Sequence, residues 1–254
     1  MPVEVRDFSH LGAGELLFRR RNSSEPFLPI GNADEVQFGI ETNEIEQQEY
    51  RFPGGGNRNR IERITDVTLT CNVYDLSPRN VAAVVYGEES TIEATSDGNK
   101  KEETLKVYKG GYNPLMRPDP QDVKLYEKDA GEKGEEIDAS KFNVERGSIV
   151  LTEAGEDLDG TEVIAEYGHG KIQVVEALRH SGREFEGTFR GTNEADGAPF
   201  AVDIHRFRFT PTDELSLVGD EFATLEMEAN VLSDASRGSG ESAYFRYQFG
   251  APED

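Results

Sequence analysis

The sequence contains no tryptophan and only one cysteine, Cys71. A single cysteine excludes an internal disulfide and is compatible with a reducing compartment. Because Cys71 occupies an apolar position in a strand-like pattern, we expect a buried small hydrophobe and not a nucleophile. The missing tryptophan also removes the indole ring that often serves as a platform for sugars.

Long apolar runs are absent as well. No stretch approaches the roughly 18 consecutive apolar residues that a membrane helix needs. The N-terminal residues MPVEVRDFSH lack a basic region followed by an apolar run. We therefore expect neither a membrane partner nor a signal peptide, and a chain that stays where it is made unless assembly or lysis moves it.

Basic residues are scarce. The chain has 27 Lys and Arg against 50 Asp and Glu, a formal net charge of -23. This imbalance keeps a protein soluble and repels phosphate, so it disfavours a nucleic-acid-binding function. The same acidity also fits a protein made in a high-salt cytoplasm, and the sequence leaves both explanations open.

Catalytic motifs are absent too. The sequence has no GxSxG, HExxH, Walker or dinucleotide-binding motif, and its four histidines, at positions 10, 169, 180 and 205, are scattered. Asp203 precedes His205 by two residues and is the nearest approach to a base with an orienting acid, but such pairs are common on polar strand faces. We expect no catalytic residue, no cofactor, no metal site and no enzymatic activity.

Alternation of apolar and polar residues dominates the chain. Four segments show period two over a strand length, which predicts a mainly β fold with antiparallel sheets covered on one face. Their apolar positions are Val36, Phe38 and Ile40; Val67, Leu69, Cys71 and Val73; Leu225, Met227, Ala229 and Val231; and Phe245, Tyr247 and Phe249. After Phe200 the parity changes, which predicts either a bulge near His205 or a strand covered on both faces.

One short helix is predicted directly after the strand that ends at Leu76. Ser77 is a favourable N-cap, Pro78 suits the first helical position, and Gly87 suits the left-handed position beyond the end. Valines between them recur at helical spacing.

Residues 90–168 differ from the rest, because their strand patterns are short and their linkers are rich in Gly, Pro, Asp, Glu and Lys. We interpret them as a small acidic β insertion between residues 1–89 and 169–254, which form one antiparallel β-sandwich. Within the insertion, Glu156, Asp157, Asp159 and Glu162 suggest a cation site. Their spacing does not match an EF-hand loop, so a solvated acidic turn is the preferred interpretation.

The run Pro53-Gly54-Gly55-Gly56 has two interpretations. A phosphate cradle needs its amides at the start of a helix, whereas an apolar strand pattern follows here, so a hairpin tip is preferred. The neighbouring arginines are Arg51, Arg58, Arg60 and Arg63. Such a basic segment on an acidic body can pair with the acidic surface of a second copy, which favours head-to-tail stacking into rings or filaments.

Three stretches, in this order, resemble the major tail tube proteins of long-tailed phages and archaeal tailed viruses. They are IGNADEVQFGIETNEIEQQEY, then RITDVTLTCNVYDLSPRNVAAVVYG after the PGGG segment, and FRGTNEADGAPFAVDIHRFRFTPTDELSLVGDEFATLEMEANVLSD. The resemblance covers most of residues 10–87 and 170–235 and is loose in the middle of the chain.

The resemblance implies a β-sandwich or barrel of the tail tube type and a structural virion protein. In that family, rings of generally six subunits stack into a hollow tail tube through which viral DNA is delivered. Thr42 to Arg63 corresponds to the long loop that reaches the neighbouring ring. The contact residues expected in it are Arg51, Phe52, Pro53, Gly54, Gly55, Gly56, Arg58, Arg60 and Arg63.

The implied partners are further copies of the chain, the tape measure protein, the tail terminator and the baseplate or distal tail proteins, with a sheath only if the tail contracts. Viral DNA would pass without specific binding, because acidic walls repel it. Glu41, Glu44, Glu226 and Glu228 are candidates for that lining by strand parity. The insertion would lie on the tube exterior, and the protein would reside in the virion tail after synthesis in the host cytoplasm.

A second class of protein remains open, a cation- or carbohydrate-binding β-sandwich such as an adhesin module. The acidic turn at residues 153–162 and the absence of catalytic motifs favour it, whereas the missing tryptophan argues against sugar binding.

Overall fold

The computed structural model of the chain describes residues 9–96, 99–129 and 131–251. The chain divides into two compact units: unit 1 extends up to Glu89 and resumes at Val175, and unit 2 is Ser90–Val174. From the sequence, the chain was predicted to re-enter the first unit at residue 169, six residues before Val175. Chain segments Glu88–Ile92 and Ile172–Glu176, through which the chain leaves and re-enters unit 1, pair with each other as a two-stranded sheet.

The fold is mainly β with antiparallel sheets, as predicted. The strands are β1 (Gly12–Arg20), β2 (Leu28–Pro29), β3 (Ala33–Gln48), β4 (Asn57–Val73), β5 (Glu88–Ile92), β6 (Lys101–Lys106), β7 (Asn113–Pro114), β8 (Pro120–Asp129), β9 (Glu132–Glu136), β10 (Phe142–Glu145), β11 (Ser148–Leu151), β12 (Glu162–His169), β13 (Ile172–Glu176), β14 (Phe185–Asn193), β15 (Pro199–Phe209), β16 (Leu225–Val231) and β17 (Phe245–Phe249). Helix α1 is Pro78–Val84, and two 3-10 turns are Ala139–Lys141 and Glu153–Leu158.

Unit 1 is built on one sheet with the strand order β2-β1-β14-β15-β16-β4-β3, and β17 pairs with β15. Leu16 and Phe18 of β1 share a single core with Val67 and Leu69 of β4, although the two strands lie toward opposite ends of the sheet. The sheet therefore curls around this core. Helix α1 adds Val84, which is fully buried, to the same cluster.

Alternation explains why β4 and β16 adopt these positions. The apolar residues predicted for one face are buried in both strands, and the intervening polar residues are exposed or half-buried. Each Leu or Val removed from water in this way contributes about 1.5–3 kcal/mol. A register slip of one residue would expose all the apolar side chains of that face and lose this stabilisation.

Helix α1 begins as predicted and ends earlier. The Ser77 side chain accepts a hydrogen bond from the Asn80 amide, and Pro78 is the first helical residue. The helix ends at Val84, and Tyr86, with a φ of 52°, takes the left-handed position that was predicted for Gly87. The prediction for Gly87 was wrong, because the helix ends before it and its φ is not positive. A Cβ at Gly87 would lie 2.9 Å from the Cγ1 of Val175.

Of the two alternatives predicted near His205, the structure shows the bulge. Phe185 pairs with Phe207, and Gly187 pairs with Ile204, so β15 holds one more residue than β14 between these two pairs. The extra residue allows Ile204 and Phe207 to enter the same core despite their opposite parity.

Unit 2 contains a four-stranded sheet, β6-β12-β8-β9, and a three-stranded sheet, β10-β11-β7. Its own core is centred on fully buried Leu125, Ile149 and Tyr167. The Tyr167 hydroxyl donates to Glu103 at 3.0 Å, which satisfies the one polar atom of this buried ring.

Candidate functional site

The segment predicted as a long loop, Thr42 to Arg63, is mostly a two-stranded ribbon. Strand β3 continues to Gln48 and β4 begins at Asn57, so only residues 49–56 form the turn. The loop prediction was wrong because polar side chains do not prevent pairing: the ladder satisfies the backbone groups, and both side-chain faces can remain in water.

The outer part of this ribbon lies beyond the core. All side chains of residues 39–48 in β3 and 57–65 in β4 are exposed. Ile45 faces Ile61 across the ladder, and these side chains are 47% and 54% exposed. Two-stranded ribbons are marginally stable in water by themselves, and exposed clusters of large apolar residues mark interaction surfaces. The ribbon therefore has the properties of a docking arm.

The ribbon ends in the predicted hairpin tip. Gly54, Gly55 and Gly56 all have positive φ angles, at 115°, 62° and 131°. Residues with a Cβ rarely adopt this conformation, so the three glycines account for the turn. Phe52 in the tip is exposed, as is Tyr50 beside it.

The arginines of the ribbon have partners within it. Arg51 donates to the Glu49 carboxylate at 2.8 and 2.9 Å, and these hydrogen bonds lower the pKa of Glu49. Arg58 also approaches Glu49, and Arg60 contacts Glu44. The sequence did not indicate these ion pairs. Since they neutralise three of the four arginines, the apolar side chains are the stronger basis for a contact with another copy.

The face of the sheet that is turned away from the core is acidic. Glu226 and Glu228 alternate with the buried residues of β16 and point away from the core. Glu41 pairs with Asp66, at a position that alternates with the buried residues of β4, and lies on the same face. Glu44 is three residues further along β3 and lies on the other face. The four predicted lining residues therefore do not share one face.

In the described part of unit 1, some carboxylates are paired with arginines, whereas those on the β16 face are not. Glu184 accepts hydrogen bonds from Arg206 at 2.8 and 2.6 Å, which lower the pKa of Glu184. Asp234 similarly contacts Arg21 at 2.9 Å. Among the residues that the structure describes, no basic nitrogen lies within 4.0 Å of the Glu226 or Glu228 carboxylates. These carboxylates therefore leave the β16 face with uncompensated negative charge.

An aromatic ladder follows the edge formed by β15 and β17. Phe200 stacks on Tyr247 with ring centroids 5.6 Å apart, and Tyr247 stacks on Phe249 at 4.4 Å. The sequence predicted an apolar face here, yet Phe249 is 78% exposed. Within the described ranges β17 pairs only with β15, so its outer edge is open to another strand.

Asp203 forms its hydrogen bonds with residues other than His205. The Asp203 carboxylate accepts hydrogen bonds from Thr188, Arg190, Arg246 and Gln248. Burial acts to raise the pKa of Asp203, but these donors outweigh it and hold the pKa below its usual value. His205 is buried at the bulge, and burial lowers its pKa. The carboxylate is thus committed to four other donors.

The acidic turn of unit 2 is also internally paired. Asp157 contacts Lys141 at 2.6 Å, Glu162 contacts Lys128 at 2.7 Å, and Asp159 accepts from the Lys109 amide at 2.9 Å. In the described part of the chain no group of three or more potential ligands could hold a metal ion. The carboxylates of this turn are directed at lysines and an amide instead of a common point.

Sequence reasoning missed one exposed segment, residues 210–224 between β15 and β16. Its apolar side chains Leu217, Val218 and Phe222 are 88%, 93% and 92% exposed. The available signal was the string LSLV inside an acidic, turn-rich stretch, where a purely solvated loop has no need of large apolar residues.

The described helical residues form no element that is long and apolar enough to cross a membrane. The fold and these surfaces define a mainly antiparallel β protein with a projecting ribbon and open strand edges. Residues 9–248 match the model of the family described as "Protein of unknown function UCP028589", and the chain belongs to this family. No curated protein matches the chain. Membership in the family by itself names neither an activity nor a partner.

Proposed function

We propose that this chain is a tail tube subunit, a structural virion protein of the tail tube β-sandwich type that assembles into stacked rings through which viral DNA passes. It acts through contacts between copies and not through catalysis. Its immediate partner is a second copy of the chain, and the tape measure, terminator and distal tail proteins adjoin the ends of the tube.

The ribbon of β3 and β4 carries this proposal. It extends beyond the core with Ile45, Ile61 and the tip residue Phe52 exposed. A monomer gains nothing from holding such a ribbon in water, whereas a neighbouring ring that covers it removes apolar surface from solvent. The open edge of β17 supports the same proposal, because ring closure is one way in which β proteins protect free edges.

The acidic face of the sheet supports passage of DNA without binding. Glu226 and Glu228 belong to a face on which β4 contributes Thr68, Thr70 and Asn72. The unpaired carboxylates repel phosphate, so a wall of this composition lets a polyanion slide. Unit 2, with its separate core, is the module that we assign to the tube exterior.

Assembly of the purified chain tests the proposal. We expect rings or tubes with a central channel in negative-stain images and a sedimentation profile dominated by large species, at high protein concentration and in molar salt. A chain that remains monomeric under these conditions would refute the proposal.

The alternative, a cation-binding adhesin module, makes a different prediction. A calcium-dependent fold is stabilised by free ligand in proportion to the logarithm of its concentration. We expect micromolar Ca²⁺ to leave the melting temperature unchanged, because Asp157 and Glu162 are already paired with lysines. A large upward shift of the melting temperature would favour the alternative.

A further inference from the structure

The segment at residues 210–224 is hydrogen-bonded at its base and exposed at its centre. The Thr210 amide donates to Glu228 O at 2.8 Å, and the Thr212 amide donates to Val84 O at 2.9 Å. Between these anchors and β16, Leu217, Val218 and Phe222 are almost fully exposed. Residues 213–222 include four carboxylates, and no Lys or Arg. The segment therefore presents apolar side chains within strong negative charge.

Unit 1 also contains a pocket of the opposite character, beside helix α1. Its floor is apolar, with buried Phe18, Phe185 and Phe209, and its volume is about 220 Å³. A cavity of roughly 150 Å³ lined by apolar residues is enough to hold benzene. The pocket therefore has room for one phenyl ring.

Three arginines, Arg20, Arg79 and Arg183, surround this floor. Arg79 lies over the Phe18 ring at 4.1 Å. Glu25 and Glu89 also line the pocket, but in the described ranges no carboxylate oxygen lies within 4.0 Å of any of the three guanidinium groups. Three cations against two anions give the pocket a net positive charge, in a chain whose net charge is -23.

The acidic segment does not fill the pocket of its own chain. No residue of 210–224 lines the pocket, and Phe222 instead lies at a separate depression with Tyr74 and Leu76. The pocket and the segment are thus two different surfaces with complementary charge and complementary apolar character. Contacts between two different surfaces of identical chains are head-to-tail and generate rings or filaments.

We propose that Phe222 of one copy inserts into the α1 pocket of the next copy, while Asp220 and Glu221 pair with Arg20 and Arg183. This contact rests on the proposed function and deepens it, because it names a pair of surfaces through which copies associate. It is separate from the contact made by the ribbon of β3 and β4.

Two single variants and one charge exchange test the contact in the full-length chain by sedimentation velocity. Phe222→Ala and Arg20→Glu should each weaken association by tenfold or more, since buried aromatic and arginine side chains dominate most interfaces. The double variant Arg20→Glu/Glu221→Arg should recover part of that loss, because it restores opposite charges across the contact. Met116→Ala in unit 2, where Met116 is 63% exposed, is the matched control and should associate like the wild type.

Circular dichroism and melting temperature must first show that each variant is folded, which the 92% exposure of Phe222 leads us to expect. If the wild type forms rings or tubes and both single variants assemble equally well, the pocket contact is overturned while the proposed function stands. If the wild type itself stays monomeric, both are overturned. Failure of the charge exchange to restore any association would contradict the pairing of Arg20 with the acidic segment.

Discussion

Truncating the two isoleucines that face each other on the ribbon should weaken assembly without unfolding the chain. The variant Ile45→Ala/Ile61→Ala removes three carbons from each side chain. Full burial of each carbon contributes about 0.8 kcal/mol, or about 2.4 kcal/mol for each isoleucine. Since Ile45 is 47% exposed and Ile61 is 54% exposed, about half of this gain remains for a partner to supply.

The expected loss of association is therefore about 1.2 kcal/mol for each isoleucine and about 2.4 kcal/mol for the pair, an approximately 50-fold weaker contact. The loss to the monomer should be smaller, because the pair lies outside the core and cross-strand pairs contribute only about 0.2–1 kcal/mol. The association constant comes from sedimentation velocity over a concentration series, and the free energy of unfolding comes from urea denaturation of dilute protein.

Met116→Ala again serves as the control, because it removes exposed apolar surface from unit 2. Two results would refute the reasoning. One is unchanged association of the double variant, which would mean that no partner covers the ribbon. The other is a loss of several kcal/mol of monomer stability, which would mean that the isoleucines belong to the core.

The remaining predictions concern the folded subunit. Leu69→Ala, at a fully buried position of β4, should cost about 2–5 kcal/mol in urea unfolding, and a smaller loss would show that the core collapses around the site. Arg206 lowers the pKa of Glu184 below its ordinary value of 4.5, so this pair stabilises the fold above that pH and loses its effect as the pH falls through the lowered pKa. Glu184→Gln should therefore reduce the melting temperature at pH 7 and flatten its decline in acid, and parallel profiles of wild type and variant would contradict this. Burial raises the pKa of Cys71 to about 12, so a thiol reagent at pH 8 should label the unfolded chain rapidly and the native chain slowly.

The strands with one covered face could be predicted from the sequence, because apolar and polar residues alternate within each of them. In residues 67–73 of β4 and in β16 every second residue is apolar, and those residues are buried. The bulge near His205 was predictable for the same reason, since the parity of the apolar residues changes there. The start of helix α1 was also predictable, because its cap depends only on neighbouring residues.

The ribbon and the α1 pocket could not be predicted in this way. The ribbon has no buried face, so its residues show no apolar alternation, and its length depends on pairing between two polar segments. The pocket brings together Phe18, Arg79, Arg183 and Phe209 from four separate parts of the chain. No local pattern connects residues that are so far apart in sequence. Both features depend on long-range pairing and not on local propensity.

The pairing of β5 with β13 has a consequence for how this protein can change. The chain leaves unit 1 through β5 and returns through β13, so the two ends of unit 2 lie on adjacent strands. Domains with neighbouring termini can be inserted, removed or exchanged without rerouting the host chain. Evolution could therefore replace unit 2 with a module of different size without changing the strand order of the unit 1 sheet. In the same way, a fluorescent protein could be grafted between Ile92 and Ile172.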